Sequence, residues 1–178
     1  NLDVFHVSLG GTKRLFLQST SLVNTSAAGW NNTAPSSSVI TLGDGFGTNK
    51  NTVTYMAYVW HGVEGYSRIG SWVANGNVDG PFANLSGSPQ SIIIKDYVGA
   101  SNWEVFSTAI NPNNPMVGEL FPNTTGALGT NGGIDFTSTG VKMRNTGDPN
   151  NSGRSYIYGA FGIQPIQGDG KINQGRAR

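Results

Sequence analysis

The stretch Tyr55-Met56-Ala57-Tyr58-Val59-Trp60-His61-Gly62-Val63-Glu64-Gly65-Tyr66-Ser67-Arg68-Ile69-Gly70-Ser71-Trp72 decides how the chain is read. It opens as a dense aromatic run, bends at Gly62 and Gly65, and resumes as a second alternation. A period of two in β-branched and aromatic residues is the signature of a strand. Over residues 52–61 it sets Val53, Tyr55, Ala57 and Val59 on one face and Thr54, Met56, Tyr58 and Trp60 on the other. Both faces are apolar, which predicts a central strand buried on both sides. A near copy, Tyr156-Ile157-Tyr158-Gly159-Ala160-Phe161, lies about a hundred residues later.

Outward from this stretch the same alternation predicts strands over 2–8, 13–18, 38–42, 67–74, 91–97, 102–108, 120–121, 133–138, 141–144 and 154–163. Gly, Asn, Asp and Pro clusters separate them. One helical turn is expected within 22–28, with Trp30 as the anchor of that region. No stretch keeps a 3.6 period for three turns. The pattern is that of an all-β chain folded as an antiparallel β-sandwich. Four matches recur in order: Val4-Phe5 with Val105-Phe106, Leu15-Phe16 with Leu120-Phe121, Ser38-Val39 with Gly140-Val141, and Tyr55 with Tyr156. They predict an internal duplication: one domain over 1–165, made of related halves 1–64 and 65–165, followed by a tail over 166–178. The second half opens with a segment, 66–97, that has no counterpart in the first. A sheet edge left uncovered in this way invites strand addition, so self-association is expected.

Composition narrows the class. The 178 residues include 26 glycines and only 12% charged residues, with Asn, Ser and Thr in their place. Disorder is excluded by 37% hydrophobic residues with 4 Trp and 8 Phe, enough to build a core. A net charge of +1 offers no basic field for nucleic acid. No apolar run approaches the ~20 residues of a membrane helix. With no cysteine there are no disulfides and no thiolate zinc sites. No cofactor is expected. Asn1 is not an initiator methionine and no signal-peptide pattern follows, so the chain is read as processed, truncated or seen in part.

The residues Gly65-Tyr66-Ser67-Arg68-Ile69-Gly70-Ser71-Trp72 with Asn75-Gly76-Asn77 and Gly80-Pro81-Phe82 resemble a segment that recurs in bacteriophage tail-fibre and virion structural proteins. Trp30-Asn31-Asn32-Thr33-Ala34-Pro35-Ser36-Ser37-Ser38-Val39 and Asn150-Asn151-Ser152-Gly153-Arg154-Ser155-Tyr156-Ile157-Tyr158-Gly159-Ala160-Phe161 resemble two further segments of that group, in the same order. The resemblance implies a concanavalin-type, lectin-like jelly roll. It implies a non-enzymatic structural or adhesive module in a virion or another extracellular setting. Its partners would be copies of itself, neighbouring virion proteins or a bacterial surface glycan. A subunit of an extracellular filament and a polysaccharide depolymerase are the alternatives.

Candidate chemistry is sparse. Sugar binding needs an aromatic face beside Asn and Asp hydrogen-bonding groups; Tyr66 and Trp72 with Asn75, Asn77 and Asp79, or Trp30 with Asn31 and Asn32, supply those types. Asn75, Asn77 and Asp79, with Gly80 in sixth place, also follow the alternation of a calcium loop. The twelfth position is Ser86 rather than Glu, which favours an Asx-stabilised turn. Asp148, Asn150 and Ser152 with Gly153 echo the pattern weakly. Glycan hydrolysis requires two converging carboxylates, and Glu104 with Asp135 is the pair expected if there is one. His6 and His61 read as packed or exposed strand residues. Glycosylation sequons begin at Asn24, Asn31, Asn84, Asn123 and Asn150.

Overall fold

A computed structural model describes residues 2–165, so the expected tail over 166–178 lies outside the described residues. In chain order the elements are β1 (Asp3–Val4), β2 (Lys13–Phe16), β3 (Asn24–Thr25), the single-turn helix α1 (Ala27–Trp30) and β4 (Ser67–Val73). They continue with β5 (Phe82–Asn84), β6 (Gly87–Ser88), β7 (Ser91–Asp96), β8 (Trp103–Ser107) and β9 (Ile134–Thr137). β10 (Gly140–Met143), β11 (Ser155–Phe161) and β12 (Gln164–Pro165) complete the chain.

The core is an antiparallel β-sandwich. One sheet runs β4-β11-β7-β8, the other β5-β10-β9, and β12 pairs with β6. Alternation sends Trp72, Ile92, Ile94, Phe106, Tyr156, Tyr158 and Ala160 of the first sheet toward Ala83, Ile134, Phe136, Val141 and Met143 of the second. Trp72 lies between two tyrosines of β11, stacked on Tyr156 at 5.6 Å and tilted against Tyr158 at 5.4 Å. The strand buried on both faces is β11. Its inner residues fill this core, while Ile157 points the other way.

On that other face lies a third layer, β1-β2-β3. Leu15, Val4, Leu9, Leu17 and Val23 cover Ile93, Tyr97, Trp103 and Ile157. Polar bonds clamp the layer down: Trp103 Nε1 donates to the Phe16 carbonyl at 3.0 Å and Lys95 Nζ to those of Ser101 and Thr20. The helix α1 is capped by Ser26, whose Oγ accepts from the Ala28 amide, and it ends where Asn31 turns left-handed.

The strand expected over 52–61 does not form; nor does the one over 38–42. Among the described residues, none offers a backbone partner to residues 54–60. The reason is topological. The strands that flank β11 are β4 and β7, and they come from the segment that has no counterpart in the first half. Residues 52–61 carry the pattern of a central strand and lack the neighbours that would make them one. The internal match therefore holds in its first two members only. Val4 pairs with Leu15 antiparallel, and Val105 bridges Leu120 in the same sense. Ser38-Val39 and Tyr55 stand outside any strand, whereas Gly140-Val141 and Tyr156 are in β10 and β11. Both sheets of the sandwich belong to the second half, and the first half contributes the covering layer.

Candidate functional site

The polar residues expected to bind sugar build a turn instead. Asn75 Oδ1 accepts from the Asn77 amide and Asn77 Oδ1 from the Asp79 amide, the two Asx bonds that shape the loop. Asp79 ion-pairs with Lys142 at 2.6 Å, which holds its carboxyl below the usual range. These oxygens are engaged within the protein, and no metal-ligand cluster of three or more His, Cys, Asp or Glu occurs among the described residues. Asn150 is fully buried beneath the loop and bonds it from below. Its Oδ1 accepts from the Asn75 amide, and its Nδ2 reaches Asn75 Oδ1 and the carbonyls of Asn77 and Asn145. A sequon at Asn150 is thereby closed to a glycan. Asn123 is also engaged, bonding the Trp103 amide and Asn102. Asn24, Asn31 and Asn84 are exposed.

The aromatics separate. Trp72 is buried, with Nε1 donating to the Pro149 carbonyl at 3.2 Å. Trp30 is buried edge-on against Phe5 at 5.7 Å. Both are core residues, and Tyr66 alone of the expected platform is exposed. Trp72→Phe is expected to cost about 1–2 kcal/mol in a urea melt, from one buried hydrogen bond and a small void. His6 is packed under β11: the Ser8 amide donates to Nδ1, so Nε2 carries the proton given to the Tyr158 carbonyl. Burial lowers its pKa and keeps it neutral. His61 is exposed.

Two other features emerge. The first is a polar cleft of about 450 Å3 at one end of the sandwich, lined by Asn102, Glu104, Glu119, Asn131, Asn145 and Asp148. The bridge between Val105 and Leu120 sets its chemistry: residues 104 and 119 then lie diagonally on one face of an antiparallel pair. Glu104 is 4% exposed. Burial, and then the nearby Glu119 and Asp148 carboxylates, push its pKa well above the ordinary 4.5. Burial raises Glu119 as well. Asp135, the partner expected for Glu104, is instead paired with Arg144 at 2.6 Å and takes no part in the cleft. Glu119 was not found from the sequence, because the register that brings it to the face of Glu104 is set by the single bridge between Val105 and Leu120.

An acid whose folded pKa is raised keeps its proton after the unfolded chain has lost it. Between 4.5 and the folded value, rising pH therefore favours unfolding. The urea midpoint is expected to fall as pH rises through that window. Glu104→Gln should flatten the fall, since an amide has no proton to release.

The second feature is residues 52–63, an exposed apolar arm. Met56 is 78%, Tyr58 72%, Val59 65% and Trp60 64% exposed. Tyr58 and Trp60 stack at 6.0 Å, and Trp60 touches Phe161 edge-on. The arm runs into β4 through a tight turn, closed by a bridge between Val63 and Ser67, in which Gly65 takes φ +72. β4 pairs with β11 on one side and ends its sheet on the other.

No helix among the described residues is long and apolar enough to cross a membrane. A family model described as a domain of unknown function (DUF7483) matches residues 1–165, and the chain belongs to that family. Neither the curated proteins nor the solved structures give a match.

Proposed function

We propose that the chain is a non-enzymatic structural and adhesive module, a lectin-like jelly roll working in an extracellular assembly such as a bacteriophage tail fibre or virion. It joins copies of itself and presents a glycan-binding surface to a host cell. The observation that carries this reading is the unpaired aromatic arm. At about 150–250 Å2 per aromatic side chain, Val53, Tyr55, Met56, Tyr58, Val59, Trp60 and Val63 of the arm expose on the order of 700 Å2. One partner in a standard interface buries about that much. The largest patch on an ordinary monomer is ~300–600 Å2.

The arm's occupant is a second copy of this chain. A segment patterned as a strand and lacking a sheet matches a sheet edge lacking a strand, and β4 offers that edge. Arm and edge are different surfaces, so their contact is head-to-tail. It closes into a ring or runs on as a filament. The filament alternative differs only in that closure, which electron microscopy of the native assembly decides. Native mass and host-cell binding test the whole reading: an oligomer that adheres is expected, and a monomer that binds neither cells nor glycans would sink it.

A further inference from the structure

Two buried polar atoms near the cleft have no hydrogen-bond partner: Glu104 Oε2 and Asn145 Oδ1. Both residues line the cleft. Orphaned polar atoms of this kind cost about 1–3 kcal/mol each when left dry, so a ligand that offered them hydrogen bonds would gain by binding beside them. The volume is well above a water's share and within the ~300–1,000 Å3 of small-molecule sites.

The lining defines the occupant. It contains three carboxyl groups and no cationic side chain, which turns anions away. It contains no metal-ligand cluster among the described residues. What remains are side-chain amides, the Thr146 hydroxyl, the carboxyls and the apolar ring of Phe121. Asn145 spends its Nδ2 protons on the Asp148 and Asn131 carbonyls, so its Oδ1 is purely an acceptor. Glu119 and Asp148 are further acceptors, and Asp148 is itself held by the Tyr156 hydroxyl. A group that meets many acceptors, tolerates a neutral acid and lays an apolar face on a ring is a polyol.

We propose that this cleft is the module's glycan site and binds a neutral sugar residue, with Glu104 and Asn145 as its buried hydrogen-bonding anchors. The inference rests on the adhesive reading and gives it a location. Burial, together with the carboxyls of Glu119, Asp148 and Asp96, favours the protonated form of Glu104 against the opposing Lys95 ammonium. It therefore donates to a sugar oxygen, and Gln at this position would donate in its stead.

The test is a titration of the full chain with neutral tetrasaccharides (maltotetraose, cellotetraose, laminaritetraose, mannotetraose) and with tetragalacturonate. It is followed by calorimetry and by hydrogen exchange of residues 119–121 and 145–148. Binding of at least one neutral probe is expected, with exchange slowed in those two segments and none with the uronate. Glu104→Gln should bind within a few-fold of the parent, and Glu104→Leu about tenfold or more weaker. Hydrogen exchange on the parent chain keeps the test independent of whether Glu104→Leu folds. If sugar protects other segments, or the uronate binds best, the cleft is not the site, while adhesion by the module stands. If no probe binds and host cells are still bound, the sugar site is refuted alone. If neither is bound, the adhesive reading falls with it.

Discussion

Asn150→Ala is expected to lower the stability of the fold by about 3 kcal/mol, the largest single-residue effect away from the apolar core. The side chain is fully buried and joins three segments. It holds the loop after β4 through Asn75 and Asn77, and the strand end after β10 through the Asn145 carbonyl. Truncation leaves the Asn75 amide and two carbonyls facing a cavity, and an unsatisfied buried group costs more than the bond itself was worth. For a domain of this size the loss corresponds to a fall in melting temperature of roughly 6–12 °C. Heat denaturation at one fixed protein concentration measures it, because association also moves the midpoint. A shift under 2 °C, read as under about 1 kcal/mol, would show that water replaces the amide and that the loop is not held by it. The effect also separates the two readings of this asparagine. A glycan acceptor would have to leave its pocket, and its removal would then change mass and not stability.

Much of the sandwich was readable because its strands alternate. β4, β7, β8, β9 and β11 lie within the segments that alternation predicts, β10 begins one residue before its segment, and the inward residues of these strands are the ones that the period of two selects. Residues 52–61 show where that reasoning stops. Alternation reports what a segment would bury as a strand, and pairing depends on neighbours that are remote in sequence. The same holds for the site. Trp72 beside Asn75 and Asn77 has the residue types of a sugar platform, yet its position on the inward face of β4 commits the ring to the core. Glu104 was visible as an isolated acid on a strand. Its pairing with Glu119 follows from a bridge between single residues, which leaves no periodic trace. Asn150 gave only a weak echo of a calcium loop, since its importance lies in three backbone groups that no sequence pattern encodes.

Tyr58→Ser combined with Trp60→Ser is expected to abolish self-association over the micromolar range while leaving the monomer folded. Buried interface aromatics are worth about 2 kcal/mol or more each, so the pair weakens assembly by about a thousandfold. In the isolated chain both rings are mostly exposed, and surface substitutions of this kind move stability by about 0.5 kcal/mol. Trp60 reports on its own contact: of the 4 tryptophans it alone is exposed, the other three being buried in the core. Tryptophan emission of the parent chain should therefore shift to shorter wavelength as concentration rises, in step with mass by light scattering, and the variant should show neither. Val73→Lys tests the other half of the contact. Val73 is exposed on β4, and a lysine on an open edge strand opposes the docking of a further strand. If the arm adds to the neighbour's edge, Val73→Lys weakens association with the arm intact, and mixing it with the arm variant allows a single heterologous contact per pair. If two arms pack on each other, Val73→Lys changes nothing and the arm variant still dissociates the assembly. A parent chain that stays monomeric at high concentration, with unshifted emission, would remove the arm from any role between copies.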